Sequence, residues 1–225
     1  TGRALLVAHY GGGGVSAVAL QPDGRLGALG TVVQHTGSSV HPARQKAPHA
    51  HQIVVSPDNR FAFVPDLGLD RVLTYALAPS TARLTAPAAS GTSLPPGSGP
   101  RHLAFHPGGR FAFVISELLC TMTAFRYDAA TGTLTALQTI STLPPGETVP
   151  RGTSTAEVIA HPNGQFLYGS NRGHDTIVAY AVDAATGRLT LIAHQSTLGK
   201  TPRHFALDPT GTWLLAENQD SHTVA

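Results

Sequence analysis

The chain has one cysteine, Cys120, in 225 residues, so no internal disulfide can form and a disulfide-stapled scaffold is excluded. Excess charge of one sign is also missing. Fifteen Lys and Arg stand against 13 Asp and Glu, a formal net charge of +2, and the basic residues are scattered rather than patched; this argues against a nucleic-acid partner. No run approaches the roughly 18 apolar residues of a membrane-spanning helix, so no membrane partner is expected. Residues 1 to 7 are too short for a signal h-region and read as a strand. A cytoplasmic location is therefore the expectation, with no bearing on any segment upstream. No stretch shows an apolar stripe at helical spacing. A Gly-x-Ser-x-Gly elbow is absent too, which speaks against an acyl-enzyme route. Cys120 lies in apolar surroundings and reads as a core-filling strand residue.

What the chain does have is turns. With 24 Gly, 17 Pro and 41% hydrophobic residues, the composition is that of a turn-rich globular domain large enough for a core. The turns repeat. Ser56-Pro57-Asp58-Asn59-Arg60-Phe61-Ala62-Phe63-Val64 returns as His106-Pro107-Gly108-Gly109-Arg110-Phe111-Ala112-Phe113-Val114, then as His161-Pro162-Asn163-Gly164-Gln165-Phe166-Leu167-Tyr168, and as Asp208-Pro209-Thr210-Gly211-Thr212-Trp213-Leu214-Leu215. The four prolines are 50, 55 and 47 residues apart. A second phrase, Asp128-Ala129-Ala130-Thr131-Gly132-Thr133-Leu134-Thr135, recurs at Asp183 to Thr190 and more loosely at Pro79 to Thr85 and Gln21 to Leu26. Short β-branched and aromatic runs separate these turns. Two hairpin turns in about fifty residues give four strands per repeat, which predicts an all-β fold of four-stranded antiparallel blades, a β-propeller.

The repeats divide the chain as 1 to 37, 48 to 94, 99 to 143, 150 to 199 and 201 to 225. These read as a single propeller domain that starts and stops inside a blade, about four and a half blades, and hence as a piece of a longer protein. Within a blade, the strand before the X-Pro turn is innermost and the Gly-x-Leu-Thr strand outermost.

Counting from the prolines locates candidate chemistry. Six residues before them stand His51, Arg101, Ala156 and Arg203, at the start of each innermost strand; ten after them stand Leu67, Glu117, Arg172 and Gln219, at the end of the second. Antiparallel strands return to the same end, so these positions share one mouth of the channel. Strand alternation puts His102, Glu157 and His204, each one residue along, on the opposite face against a neighbouring blade. Three guanidiniums at one mouth repel each other unless an anion lies among them, so an anion site is expected there, with a structural ion pair as the plain alternative. The connection His35 to Ala47 is longer and more basic than its counterparts and leads His49 and His51 to the same mouth. His49-x-His51 would place two imidazoles on one strand face, but no third or fourth ligand is in view; no metal and no other cofactor is expected.

The run Gly37-Ser38-Ser39-Val40-His41-Pro42-x-Arg44-Gln45-Lys46-x-Pro48-His49-Ala50-His51, with Gly99-Pro100-Arg101-His102, Ser116-Glu117-Leu118, Ala156-Glu157-Val158, Ser170-Asn171-Arg172-Gly173 and Pro202-Arg203-His204, resembles the seven-bladed propeller lactonases. That family includes bacterial 6-phosphogluconolactonases of carbohydrate metabolism and the fungal carboxymuconate lactonizing enzyme. The resemblance implies seven blades. It also implies a catalytic set of one histidine, two arginines and a glutamate, which falls on His51, Arg101, Arg172 and Glu117.

Opening a lactone with water needs a base and cations that stabilise the carbonyl oxyanion. Glu117 or His51 could be the base, Arg101 and Arg172 the cationic clamp, and Arg44, Lys46, His49 and Arg203 contacts to a phosphate or carboxylate tail. The expected partner is accordingly a small anionic lactone or carboxylate. Three functions stay open on residues alone: a lactone hydrolase acting on a sugar lactone such as 6-phosphogluconolactone, a carboxymuconate-type cycloisomerase, and a non-enzymatic binding scaffold.

Overall fold

The computed structural model describes residues 2 to 86 and 91 to 225. Thr1, read above as part of the first strand, and residues 87 to 90, read as part of the second repeat, lie outside the described residues. Nineteen strands and no helix are found among the rest, in five antiparallel sheets. The first sheet is β1 (Ala4–His9), β2 (Gly14–Leu20) and β3 (Leu26–Gln34). The second is β4 (Val54–Val55), β5 (Phe61–Asp66), β6 (Arg71–Ala78) and β7 (Arg83–Thr85), with β8 (Thr92–Ser93) pairing the other end of β6. The third is β9 (Pro100–Phe105), β10 (Phe111–Ser116), β11 (Thr121–Asp128) and β12 (Thr133–Ser141), and the fourth is β13 (Ser154–Ala160), β14 (Phe166–Arg172), β15 (Thr176–Val182) and β16 (Leu189–Ser196). The fifth is β17 (Pro202–Leu207), β18 (Leu214–Asn218) and β19 (Thr223–Val224). Each sheet runs in sequence order, as the blades of a β-propeller do.

The repeat is written in backbone conformation as well as in letters. The fourth residue of the X-Pro turn is left-handed every time: Asn59 at φ 59°, Gly109 at 69°, Gly164 at 74° and Gly211 at 72°. The last residue of the next turn is left-handed too, at Gly13, Asp70, Cys120, Asp175 and His222. L residues adopt this conformation at a cost, so its recurrence shows that the turns and not the side chains are the fixed element. Cys120 is therefore a buried turn residue rather than the strand residue expected from its apolar neighbours. Burial, against the weaker opposing effect of the Arg172 charge, pushes its thiol up to about 11.

Two compact units emerge. One comprises residues 1 to 100 with 128 to 134, the other 101 to 127 with 135 to 225. The core of the first contains Val15, Ala17, Ala62, Val64, Leu73, Tyr75 and Leu84; that of the second contains Phe111, Phe113, Ile115, Met122, Leu167, Val178 and Tyr180. The same joint closes both units. Gly132, at φ 74°, lies against the Phe61 ring, and a Cβ there would come within 2.6 Å of it; Gly187, at φ 73°, lies against Phe111 at 2.4 Å. Arg60 Nη1 donates to Ala129 O at 3.0 Å and Arg110 Nη2 to Ala184 O at 2.6 Å over the same contact.

In the second unit the turn histidines join successive sheets. His106 Nδ1 accepts from Gly108 N at 2.9 Å and His161 Nδ1 from Asn163 N at 3.1 Å. An acceptor Nδ1 leaves the proton on Nε2, which donates to Gly164 O and Gly211 O respectively, both at 2.9 Å.

Candidate active site

In the second unit, Arg101 stands near the start of β9, Glu117 just past the end of β10 and Arg172 at the end of β14. One oxygen joins them. Glu117 Oε2 lies 3.2 Å from Arg101 Nε and 3.0 Å from Arg172 Nη2, with side-chain exposures of 5%, 4% and 12%. Backbone carbonyls fix both guanidiniums further: Arg101 Nη1 donates to Ala156 O at 2.6 Å and Arg172 Nη2 to Thr155 O at 2.7 Å. Burial, and after it the nearby Arg172 charge, draw the Arg101 guanidinium down to about 10 against the pull of Glu117. It thus stays protonated at neutral pH. Two cations share one carboxylate oxygen, so the cluster keeps an excess positive charge in a setting largely closed to water.

Arg101 also lines a cavity of about 600 Å³ whose wall includes His102, Glu157, Arg203, His204 and Glu217. Here the structure corrects the alternation argument. His102, Glu157 and His204 do meet across sheets, yet they line the same cavity as Arg101 and Arg203. For Glu157 and His204 the reason is local: pairing of β13 with β14 shifts register between Thr155 and Val158, and pairing of β17 with β18 shifts between Pro202 and His204. A bulge breaks the two-residue period and turns consecutive side chains to one side. Glu157 is buried, and burial alone would raise its carboxyl. Hydrogen bonds from His102, Val158 N and His204, with the His102 charge, outweigh that and hold it below the ordinary carboxylate value.

In the first unit, Tyr10 collects the basic residues of the long connection. His49 stacks on its ring at 4.6 Å, His51 meets the ring edge-on at 5.2 Å, Arg44 Nη2 donates to Tyr10 Oη at 3.3 Å, and His49 Nδ1 donates to Tyr10 O at 2.9 Å. Lys46 is exposed. The connection is held by Gln45, fully buried, whose Nε2 donates to Leu67 O at 2.8 Å and to Asp70 Oδ1 at 2.7 Å. Asp66 fixes the start of the His49-Ala50-His51 segment. Its Oδ1 accepts from His49 N at 2.7 Å and its Oδ2 from His35 Nδ1 at 2.7 Å, while Tyr75 Oη donates to His35 Nε2 at 2.9 Å. Burial pushes the Tyr75 hydroxyl up to about 12, with Asp66 adding to the rise.

Tyr10 escaped the sequence reading although a signal existed. It follows β1 as Glu117 follows β10, and left-handed Gly13 stands three residues on, as Cys120 does after Glu117. No anchoring proline precedes β1, so there was nothing to count from.

Residues 1 to 225 match the family described as "Lactonase, 7-bladed beta-propeller". Among curated relatives, 6-phosphogluconolactonase of Bacillus subtilis is 36% identical over 218 residues, covering 96% of this chain and 60% of the relative. A 6-phosphogluconolactonase of Formosa agariphila is 31% identical, covering 100% of this chain and 63% of the relative. Among solved structures, the periplasmic gluconolactonase of Pseudomonas aeruginosa is 38% identical with a TM-score of 0.91, over 99% of this chain and 62% of that one. The chain thus spans about three fifths of the length of these relatives. No helix among the described residues is long and apolar enough to cross a membrane. On the match over its whole length, the chain belongs to the seven-bladed β-propeller lactonase family.

Proposed function

We propose that this protein hydrolyses a sugar lactone, 6-phosphogluconolactone or a near analogue. The observation that carries the reading is the pair of arginines gathered on Glu117 Oε2 beside a cavity that Arg203 also lines. Lactone hydrolysis turns a neutral carbonyl oxygen into an oxyanion, and guanidiniums already held in place stabilise that charge without reorganising at the moment of reaction. Arg101 is the proposed oxyanion partner, because it belongs both to the ion-paired cluster and to the cavity wall. Arg203 is the proposed contact to the phosphate of the substrate, since a guanidinium fork matches phosphate oxygens. Glu117 shares one oxygen between two cations and is 5% exposed; its proposed role is to position the arginines rather than to activate water. Arg44, Lys46 and His49 are proposed substrate contacts on the basic connection read in the sequence, and His51 is a proposed catalytic residue on its repeat offset and the family resemblance. The names of the Bacillus subtilis and Formosa agariphila relatives support the choice of substrate.

The test is proton release from 6-phosphogluconolactone at neutral pH by the full-length protein and by Arg101→Lys. The lysine keeps a charge but not the fork, and should cost on the order of a hundredfold in kcat/KM. A wild-type protein that opens no sugar lactone, or a lysine variant as fast as wild type, would overturn the proposal.

A further inference from the structure

Nine residues after each turn proline stands a buried polar side chain: Asp66, Ser116, Asn171 and Asn218. In the fourth and fifth sheets it is an amide that donates to the exit of the sheet before. Asn171 Nδ2 reaches Thr142 O at 2.8 Å and Asn218 Nδ2 reaches Thr197 O at 3.0 Å. His35 holds that exit position for the first sheet, since its N–H donates to Gly13 O as those of Thr142 and Thr197 do to Cys120 O and Asp175 O. Here the direction of donation is reversed. A carboxylate only accepts, so His35 carries its proton on Nδ1 and donates it to Asp66 Oδ2 at 2.7 Å, while Nε2 accepts from the Tyr75 hydroxyl at 2.9 Å. Asp66 is 0% exposed and His35 and Tyr75 5% each; chain beyond either end could only add to that burial.

The reversal makes acceptors of both Asp66 oxygens. Oδ1 accepts from His49 N at 2.7 Å and from Gly68 N at 3.0 Å. Beside it, Leu67 N donates to His49 O and His51 N to Pro65 O, both at 3.0 Å, and Ala50 bridges Asp66. The fit is close: a Cβ on Gly68 would collide with Ala47 O and stand 2.9 Å from His49 N. An anchor of this kind is needed at this sheet in particular. The positions equivalent to His51, which are Arg101, Ala156 and Arg203, lie inside β9, β13 and β17, whereas β4 begins only at Val54 and leaves His51 outside its strand. We propose that Asp66, braced by His35 and Tyr75, is the positioning residue for His51, replacing the strand that holds the equivalent side chains elsewhere. The inference rests on the lactonase reading above, which gives His51 a catalytic role.

Asp66→Ala in the full-length protein, with 6-phosphogluconolactone as substrate and at a temperature where the variant is folded, should lower kcat/KM about tenfold to a hundredfold, because a misplaced catalytic group loses that much. Asp66→Asn should recover most of the rate. Its Oδ1 still accepts from His49 N, and its amide donates to His35 Nδ1 once the ring proton moves to Nε2. In a His51→Ala background, Asp66→Ala should cost almost nothing further, since residues that act through one another are not additive. Should Asp66→Ala fail to fold, Gly68→Ala decides, because its Cβ displaces Ala47 and His49 without touching the buried line; it too should lose about tenfold or more. Four results would overturn the proposal: a folded Asp66→Ala within about threefold of wild type, or Gly68→Ala so in its stead; an Asn variant as slow as the Ala variant, which would put the charge and not the placement at work; the same fold loss with and without His51; or His51→Ala at the wild-type rate. If Arg101→Lys is impaired in those cases, the lactonase reading stands and only the anchor falls. A wild-type protein that opens no sugar lactone removes both.

Discussion

Neutralising Glu117 separates the two roles open to it. In Glu117→Gln the side chain keeps its size, but the oxygen shared by Arg101 Nε at 3.2 Å and Arg172 Nη2 at 3.0 Å loses its charge. Each pair amounts to about 5 kcal/mol of attraction at an effective dielectric of about 20, so about 10 kcal/mol of gross attraction disappears. Most of this is offset, because ionised groups in the unfolded chain recover hydration; the net loss from breaking one partner out of a buried pair is about 3–5 kcal/mol. No solvent discount applies at these exposures of 4%, 5% and 12%. With a urea slope of about 3 kcal/mol per molar, the unfolding midpoint of the full-length protein should drop by about 1–1.7 M. Activity should fall with a rise in KM, since both guanidiniums lose their anchor. Adding Arg172→Gln to Glu117→Gln should then cost less than Arg172→Gln costs alone, because in that background the Glu117–Arg172 ion pair is already broken and the change removes an uncompensated cation. A Glu117→Gln protein within about 0.5 kcal/mol of wild-type stability, with kcat lost and KM unchanged, would refute the positioning role and return Glu117 to that of base.

Two further outcomes are expected. Gly187→Ala adds a Cβ at φ 73° within 2.4 Å of the Phe111 ring, which combines left-handed strain with overpacking and should destabilise by about 2–4 kcal/mol in thermal or urea unfolding; a loss below about 0.5 kcal/mol would mean that the joint is loose. The folded Glu157 carboxyl is held below its ordinary value of 4.5, so its contribution is complete above about pH 4.5 and disappears as pH falls through the lower folded value. Glu157→Gln should therefore be less stable than wild type at neutral pH and lose less stability on acidification, as read by melting temperature from pH 7 to pH 3; parallel curves would exclude that linkage.

The architecture was legible in the chain because local chemistry repeats. A turn such as His106-Pro107-Gly108-Gly109 requires its left-handed fourth residue whatever surrounds it, and the short runs between turns are too β-branched to form anything but strands. The offsets from Pro107 and Pro162 likewise carried Glu117 and Arg172 to the same strand end, since antiparallel return is a property of the hairpin. Three things were decided only in three dimensions. Bulges after Thr155 and Pro202 broke the two-residue period, so Glu157 and His204 line the cavity they were expected to face away from. Tyr10 gathered His49, His51 and Arg44 through packing, with no anchoring proline before β1 to count from. And the division of labour between Glu117, shared by two arginines, and Glu157, shared by two histidines, depends on which side chains from other sheets reach each oxygen. Sequence periodicity fixes where a residue stands along its own strand; the partners it meets from the next sheet are set by packing, and those partners decide its chemistry.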